Sequence, residues 1–126
     1  MSQTEVVLWK SIENSENQKD FSTYLEQYPN GAFAALAQRH LAELRTQAAY
    51  AYAFDALKGS DYSTAIMRFK EFLRDYPQST LAGNAEYWLG ETYYLTRDLD
   101  DAAASFRAVG DQYPRSLDRR PIEHPS

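Results

Sequence analysis

Phe72–Ser79 reads FLRDYPQS, and the same phrase returns as VGDQYPRS at Val109–Ser116 and, earlier, as YLEQYPNG at Tyr24–Gly31. Each copy sets apolar residues ahead of polar ones, then Tyr-Pro, then a small or polar residue. Proline pushes the residue before it out of the helical region, so Tyr-Pro stops a helix. Internal similarity of this kind decides an architecture before any single element does. Aligned on Tyr-Pro, the last two copies have a period of 37, and Ala65, Phe69 and Pro77 meet Ala102, Phe106 and Pro114. A small residue lets two helices approach closely, an aromatic four later fills the gap between hairpins, and the proline ends the helix.

Outward from there, the first copy lies 48 residues before the second, eleven more than the period. Eleven residues turn a helix by about 1100°, three turns plus a small remainder, so the insertion lengthens a helix without moving its apolar face. Phe33, Leu36, Ala37, Leu41, Leu44, Ala48, Tyr52 and Ala56 keep a spacing suited to one such face, and no Gly or Pro interrupts 32–58. One long helix is predicted there, with Gly59 as its left-handed stop. Around it, Thr4 caps a helix over 4–14 and Asp20 caps a helix over 21–28. Ser60 or Asp61 caps the helix that carries Ala65, Phe69, Phe72 and Leu73. Ser79 opens a helix through Leu95, and Asp98 caps the last one, which ends at Pro114.

No alternation long enough for a strand occurs. The expected fold is all-α: helical hairpins stacked in a short right-handed solenoid with one long central helix. Residues 1–114 form a single helical-repeat domain, with an N-terminal module at 1–45 and two repeats at 46–114. Residues 115–126, with two prolines and little apolar content, are expected to be a disordered tail.

Composition narrows the function. A chain of 126 residues, 44% hydrophobic and 25% charged, is globular and can bury a core. The net charge of −5 and the lack of a basic stripe argue against nucleic acid as a partner. With no cysteine, a disulfide framework, a thiolate metal site and a cysteine nucleophile are excluded. No basic start followed by an apolar run opens the chain, so no signal peptide is expected. No apolar run approaches the ~18 residues of a membrane span, so no membrane insertion is expected.

The 37-residue unit resembles the tetratricopeptide repeat. Leu89, Gly90 and Tyr93 supply the large, small and aromatic set of its first helix. A glycine inside a helix costs about 1 kcal/mol against alanine, which close helix packing explains. Glu86 stands where the pattern has Trp, and Trp88 is displaced by two. The stretch Tyr50–Ser116, with GSDYSTAIMRFKEFLRDYPQSTLAGNAEYWLGETYY at its centre, resembles the C-terminal domain of the YbgF/CpoB family, apart from Ser60 and Gly83. That resemblance implies a periplasmic, non-enzymatic scaffold that binds TolA of the Tol-Pal system and links outer-membrane constriction to peptidoglycan synthesis during cell division. A native N-terminus would instead imply the cytoplasm. The N-terminal LWKSIENSENQKDFSTYLEQYPNGAFAALAQRHLAEL is similar to a short helical module found beside bacterial caspase-like domains. Together the two suggest a natural mosaic or an engineered fusion, and the alternative function is a structural or oligomerising module with no retained partner.

The residues offer no enzyme chemistry. His40 and His124 are far apart, and no nucleophile elbow, phosphate loop or zinc motif occurs. DLDDAA at Asp98–Ala103 starts like a calcium loop but lacks its glycine, and reads as a helix N-cap. No cofactor and no metal are expected. The remaining candidate is a concave groove lined by Gln47, Tyr50, Phe54, Lys58, Asn84, Tyr87, Glu91 and Tyr94, where tyrosines bury area and keep a polar handle for a peptide. A second expected surface is an apolar strip of Phe106, Val109 and Tyr113 on the last helix, which predicts a homodimer.

Overall fold

The computed structural model describes residues 2–113, so the expected tail at 115–126 lies outside the described residues. Six helices fill the described residues, and none of these is in a strand. They are α1 (Gln3–Ile12), α2 (Gln18–Gln27), α3 (Ala34–Lys58), α4 (Tyr62–Asp75), α5 (Ala82–Leu95) and α6 (Leu99–Gln112). The chain divides into two compact units, Met1–Gln47 and Ala48–Ser126. Neither α3 nor any other helix of the described residues is long and apolar enough to cross a membrane.

The three Tyr-Pro phrases end helices in one backbone conformation. Tyr28, Tyr76 and Tyr113 are C-caps at φ/ψ of −132°/65°, −131°/53° and −131°/55°. Each still donates its N–H four residues back, to Tyr24, Phe72 and Val109. The following proline forbids ψ from continuing into the helix. α3 runs without a break through Arg45–Gln47, as the eleven-residue insertion requires.

Helix starts depart from expectation in three places. Ser2, not Thr4, caps α1, its hydroxyl accepting from Glu5 N–H at 3.0 Å. Asn17 caps α2 by accepting from Lys19 N–H, while Asp20 accepts from the Ser15 hydroxyl at 2.7 Å. Ser79 lies ahead of α5, where its hydroxyl accepts from Leu81 N–H. Asp61 and Asp98 cap α4 and α6 by accepting from Thr64 and Asp101 N–H. The left-handed residue after α3 is Ser60 and not Gly59. The bond from Asp61 N–H back to Ala56 C=O sets its place, one residue beyond the glycine.

In the first unit, Trp9 and Ile12 of α1, Phe21 and Tyr24 of α2, and Ala37 and Leu41 of α3 form the core. His40 stacks on Phe21 at 5.2 Å. At its centre is a buried carboxylate. Glu5 Oε2 accepts from the Tyr24 hydroxyl and from Ala32 N–H, each at 2.9 Å, and the same hydroxyl accepts from Phe33 N–H at 3.0 Å. A Cβ on Gly31 would come within 2.6 Å of both side-chain oxygens, so a larger residue at this turn must displace them.

In the second unit, Tyr50, Ala53 and Phe54 of α3 meet Ala65, Phe69 and Phe72 of α4 and Ala85 and Leu89 of α5. α6 closes on α5, and a Cβ on Gly90 would stand 2.7 Å from Phe106 Cε1. The close approach read from Gly90 is therefore made to the Phe106 ring. Successive antiparallel hairpins of the tetratricopeptide type make up this unit.

Candidate partner-binding surface

The 37-residue period is visible in side-chain contacts. Phe69 meets Tyr50 at 6.3 Å between ring centroids, and Phe106 meets Tyr87 at 5.8 Å. The groove residues expected from sequence fall on both sides of this packing. Tyr50 and Phe54 are core, 4% and 1% exposed, and are not offered to a partner. The cause is Trp88 of α5, whose ring stands edge-on 5.0 Å from Phe54. Burial pushes the Tyr50 hydroxyl up to about 12, while Trp88 acts weakly the other way. Lys58 is exposed and pairs with Asp55 at 3.6 Å. Gln47 is exposed and belongs to the first unit.

The rest gather on α5. Asn84, Tyr87 and Glu91 are half-buried, and Tyr94 is 59% exposed. Tyr87 and Tyr94, seven residues apart, share a helix face. Burial raises the Tyr87 hydroxyl above its ordinary value, and the adjacent Glu91 carboxylate raises it further. A neutral phenol beside an anion suits polar recognition. Leu95 and Leu99, both exposed at the α5–α6 turn, extend the apolar area beyond Tyr94. Sequence reading missed this pair, although Leu95 stands one period after Lys58 and the change of character was there to see.

The expected self-association strip needs correction. Val109 is 2% exposed, because α5 covers the inner face of α6. Phe106 is half-buried against Gly90 and Tyr87, and Tyr113 is half-buried. Val109 therefore belongs to the hairpin interior and cannot form an open strip with the other two. Glu86, read from sequence only as a departure at the pattern's Trp position, is a half-buried carboxylate on α5. Burial raises it above its ordinary value, and a hydrogen bond with Ser105 opposes that shift.

The family comparison falls mostly on the second unit. A family model described as YfiO, an outer membrane lipoprotein, matches residues 45–120, well over half of the chain. The chain belongs to the YfiO family. The match starts close to the boundary of the second unit at Ala48. The chain is 50% identical over 50 residues to the cell division coordinator CpoB of Pseudomonas putida KT2440, covering 40% of this chain and 19% of that protein. It is 36% identical over 78 residues to the outer membrane protein assembly factor BamD of Xylella fastidiosa 9a5c, covering 59% of this chain and 26% of that protein. The chain thus spans about a fifth to a quarter of the curated relatives it matches. No solved structure matches it.

Proposed function

We propose that the chain is a non-enzymatic protein-binding scaffold of the cell envelope, whose second unit holds a Tol-Pal partner such as TolA on the periplasmic side of the outer membrane. The observation that carries this reading is the 50% identity to a cell division coordinator. The α5 surface supports it, because Tyr87, Glu91 and Tyr94 give large contact area with polar tips and no catalytic arrangement. The test is calorimetric titration of the purified chain with the soluble region of TolA. Saturable binding is expected, and silence at hundreds of micromolar contradicts the reading.

The family description and the 36% identity to an assembly factor favour a second reading, service in outer membrane protein assembly. Gene deletion separates the two. Constriction defects with normal outer membrane protein content follow from the first, and depleted outer membrane proteins follow from the second.

A further inference from the structure

The second unit repeats one aromatic surface twice, and the two copies differ in what covers them. Tyr50 and Phe69 form the first copy, and Tyr87 and Phe106 form the second. α5 lies over the first copy: Ala85 and Leu89 enter its core and Trp88 stands on Phe54. Tyr50 and Phe69 are buried as a result. Tyr87 and Phe106 are only half-buried, and among the described residues no helix follows α6 to lie over them. The same chain therefore shows what such a surface accepts, a helix with small and aliphatic residues at i and i+4.

Chemistry separates the copies at the position of Phe54. Phe54, which meets an indole, is replaced one period later by Glu91, whose carboxylate lies beside Tyr87. A carboxylate that an incoming helix covers must be paired, because an unpaired buried charge is strongly unfavourable. The acidic charge of the chain, −5 overall, draws in a cation from a distance.

We propose that this end of the repeat stack, formed by Tyr87, Glu91 and Phe106, seats one helix of a partner protein that carries small or aliphatic residues against the two rings and a Lys or Arg opposite Glu91. The proposal rests on the reading that the second unit binds a protein, and it specifies the chemistry of that partner. The helix-in-groove mode fits it, with main-chain groups satisfied inside the helix and side chains carrying the specificity.

The probe is a fluorescein-labelled peptide of residues 79–97, the α5 segment, made in two forms, Trp88→Arg and Trp88→Glu. The full chain is titrated against each by fluorescence anisotropy. The arginine form is expected to bind saturably and about fivefold more tightly than the glutamate form, as a partly exposed ion pair allows. Glu91→Arg in the chain, with helicity checked by circular dichroism, reverses that order. Equal affinity for the two peptides, or a preference that Glu91→Arg leaves unchanged, overturns the proposal. A chain dimer in sedimentation that Phe106→Glu dissociates also overturns it, since a second copy then occupies the face. TolA binding that is insensitive to Glu91→Arg removes this inference and leaves the proposed function standing. Charge-selective peptide binding without TolA binding does the reverse.

Discussion

Ser60 and Arg97 lie 37 residues apart and adopt the same left-handed backbone, with φ of 61° and 66°. Each sits after the first helix of a hairpin, and each is followed by the aspartate that caps the second. The next N–H returns to the same point of the preceding helix in both, Asp61 to Ala56 C=O and Asp98 to Tyr93 C=O, at 2.9 Å. The repeat is thus one hairpin geometry written twice with different side chains.

A side chain in the left-handed region costs about 1–2 kcal/mol, and glycine avoids this at some loss of unfolded-state restriction. Ser60→Gly and Arg97→Gly are each expected to stabilise the chain by about 0.5–1 kcal/mol. The effects should add, because the sites share no partner. Urea unfolding at matched m-value checks this, and a destabilised Ser60→Gly would mean that the serine side chain has a role in the turn.

Glu5 holds the first unit at the point where α2 turns into α3. Glu5→Ala leaves the Tyr24 hydroxyl and Ala32 N–H without their buried acceptor. A loss of about 2–4 kcal/mol is expected, from two orphaned groups. Gly31→Ala should cost a similar amount by pushing a methyl into the same oxygens. Thermal melting of each variant in a Trp88→Phe background, with emission from Trp9 as the probe of the first unit, measures both.

Glu86 gives a pH dependence of known sign. Its carboxyl titrates above the ordinary 4.5 in the fold because burial disfavours the charged form. The folded state then binds the proton more tightly than the unfolded state, so stability from this group falls as pH rises through the folded value. Glu86→Gln should be more stable than the parent at neutral pH, with the advantage lost as pH falls through the raised folded value toward 4.5. An advantage independent of pH would assign the effect to packing.

How far the sequence foretold this depends on what each feature needs. Helix stops and hairpin turns are local, and the Tyr-Pro phrases with Asp61 and Asp98 announced them. Ala65 and Ala102 were legible as contact points, because the small residue precedes an aromatic by four in both copies. Surface assignment failed where it required a neighbour. Tyr50 and Phe54 share a helix face with exposed residues, but Trp88 comes from a different helix and covers them. Val109 was read as uncovered because only a following hairpin was considered, whereas its own hairpin buries it. Glu5 was illegible for the same reason: its partners Tyr24 and Ala32 lie 19 and 27 residues away.

Tyr94 separates recognition from stability. It is exposed, and Tyr94→Ala should change the folding free energy by less than about 0.5 kcal/mol. Partner affinity should fall by about tenfold if the ring is buried on binding. Tyr87→Ala should lower both, since Tyr87 also packs on Phe106. Calorimetry with the partner and thermal melting of the free variants are read together.

The most direct measurement of the central claim is a titration of the isotope-labelled chain with the soluble region of TolA, followed by amide chemical shifts. The account predicts saturable shifts concentrated on α5 and α6, with Tyr87, Glu91 and Tyr94 among the largest. No shift at hundreds of micromolar partner, or shifts confined to residues 2–47, would contradict it.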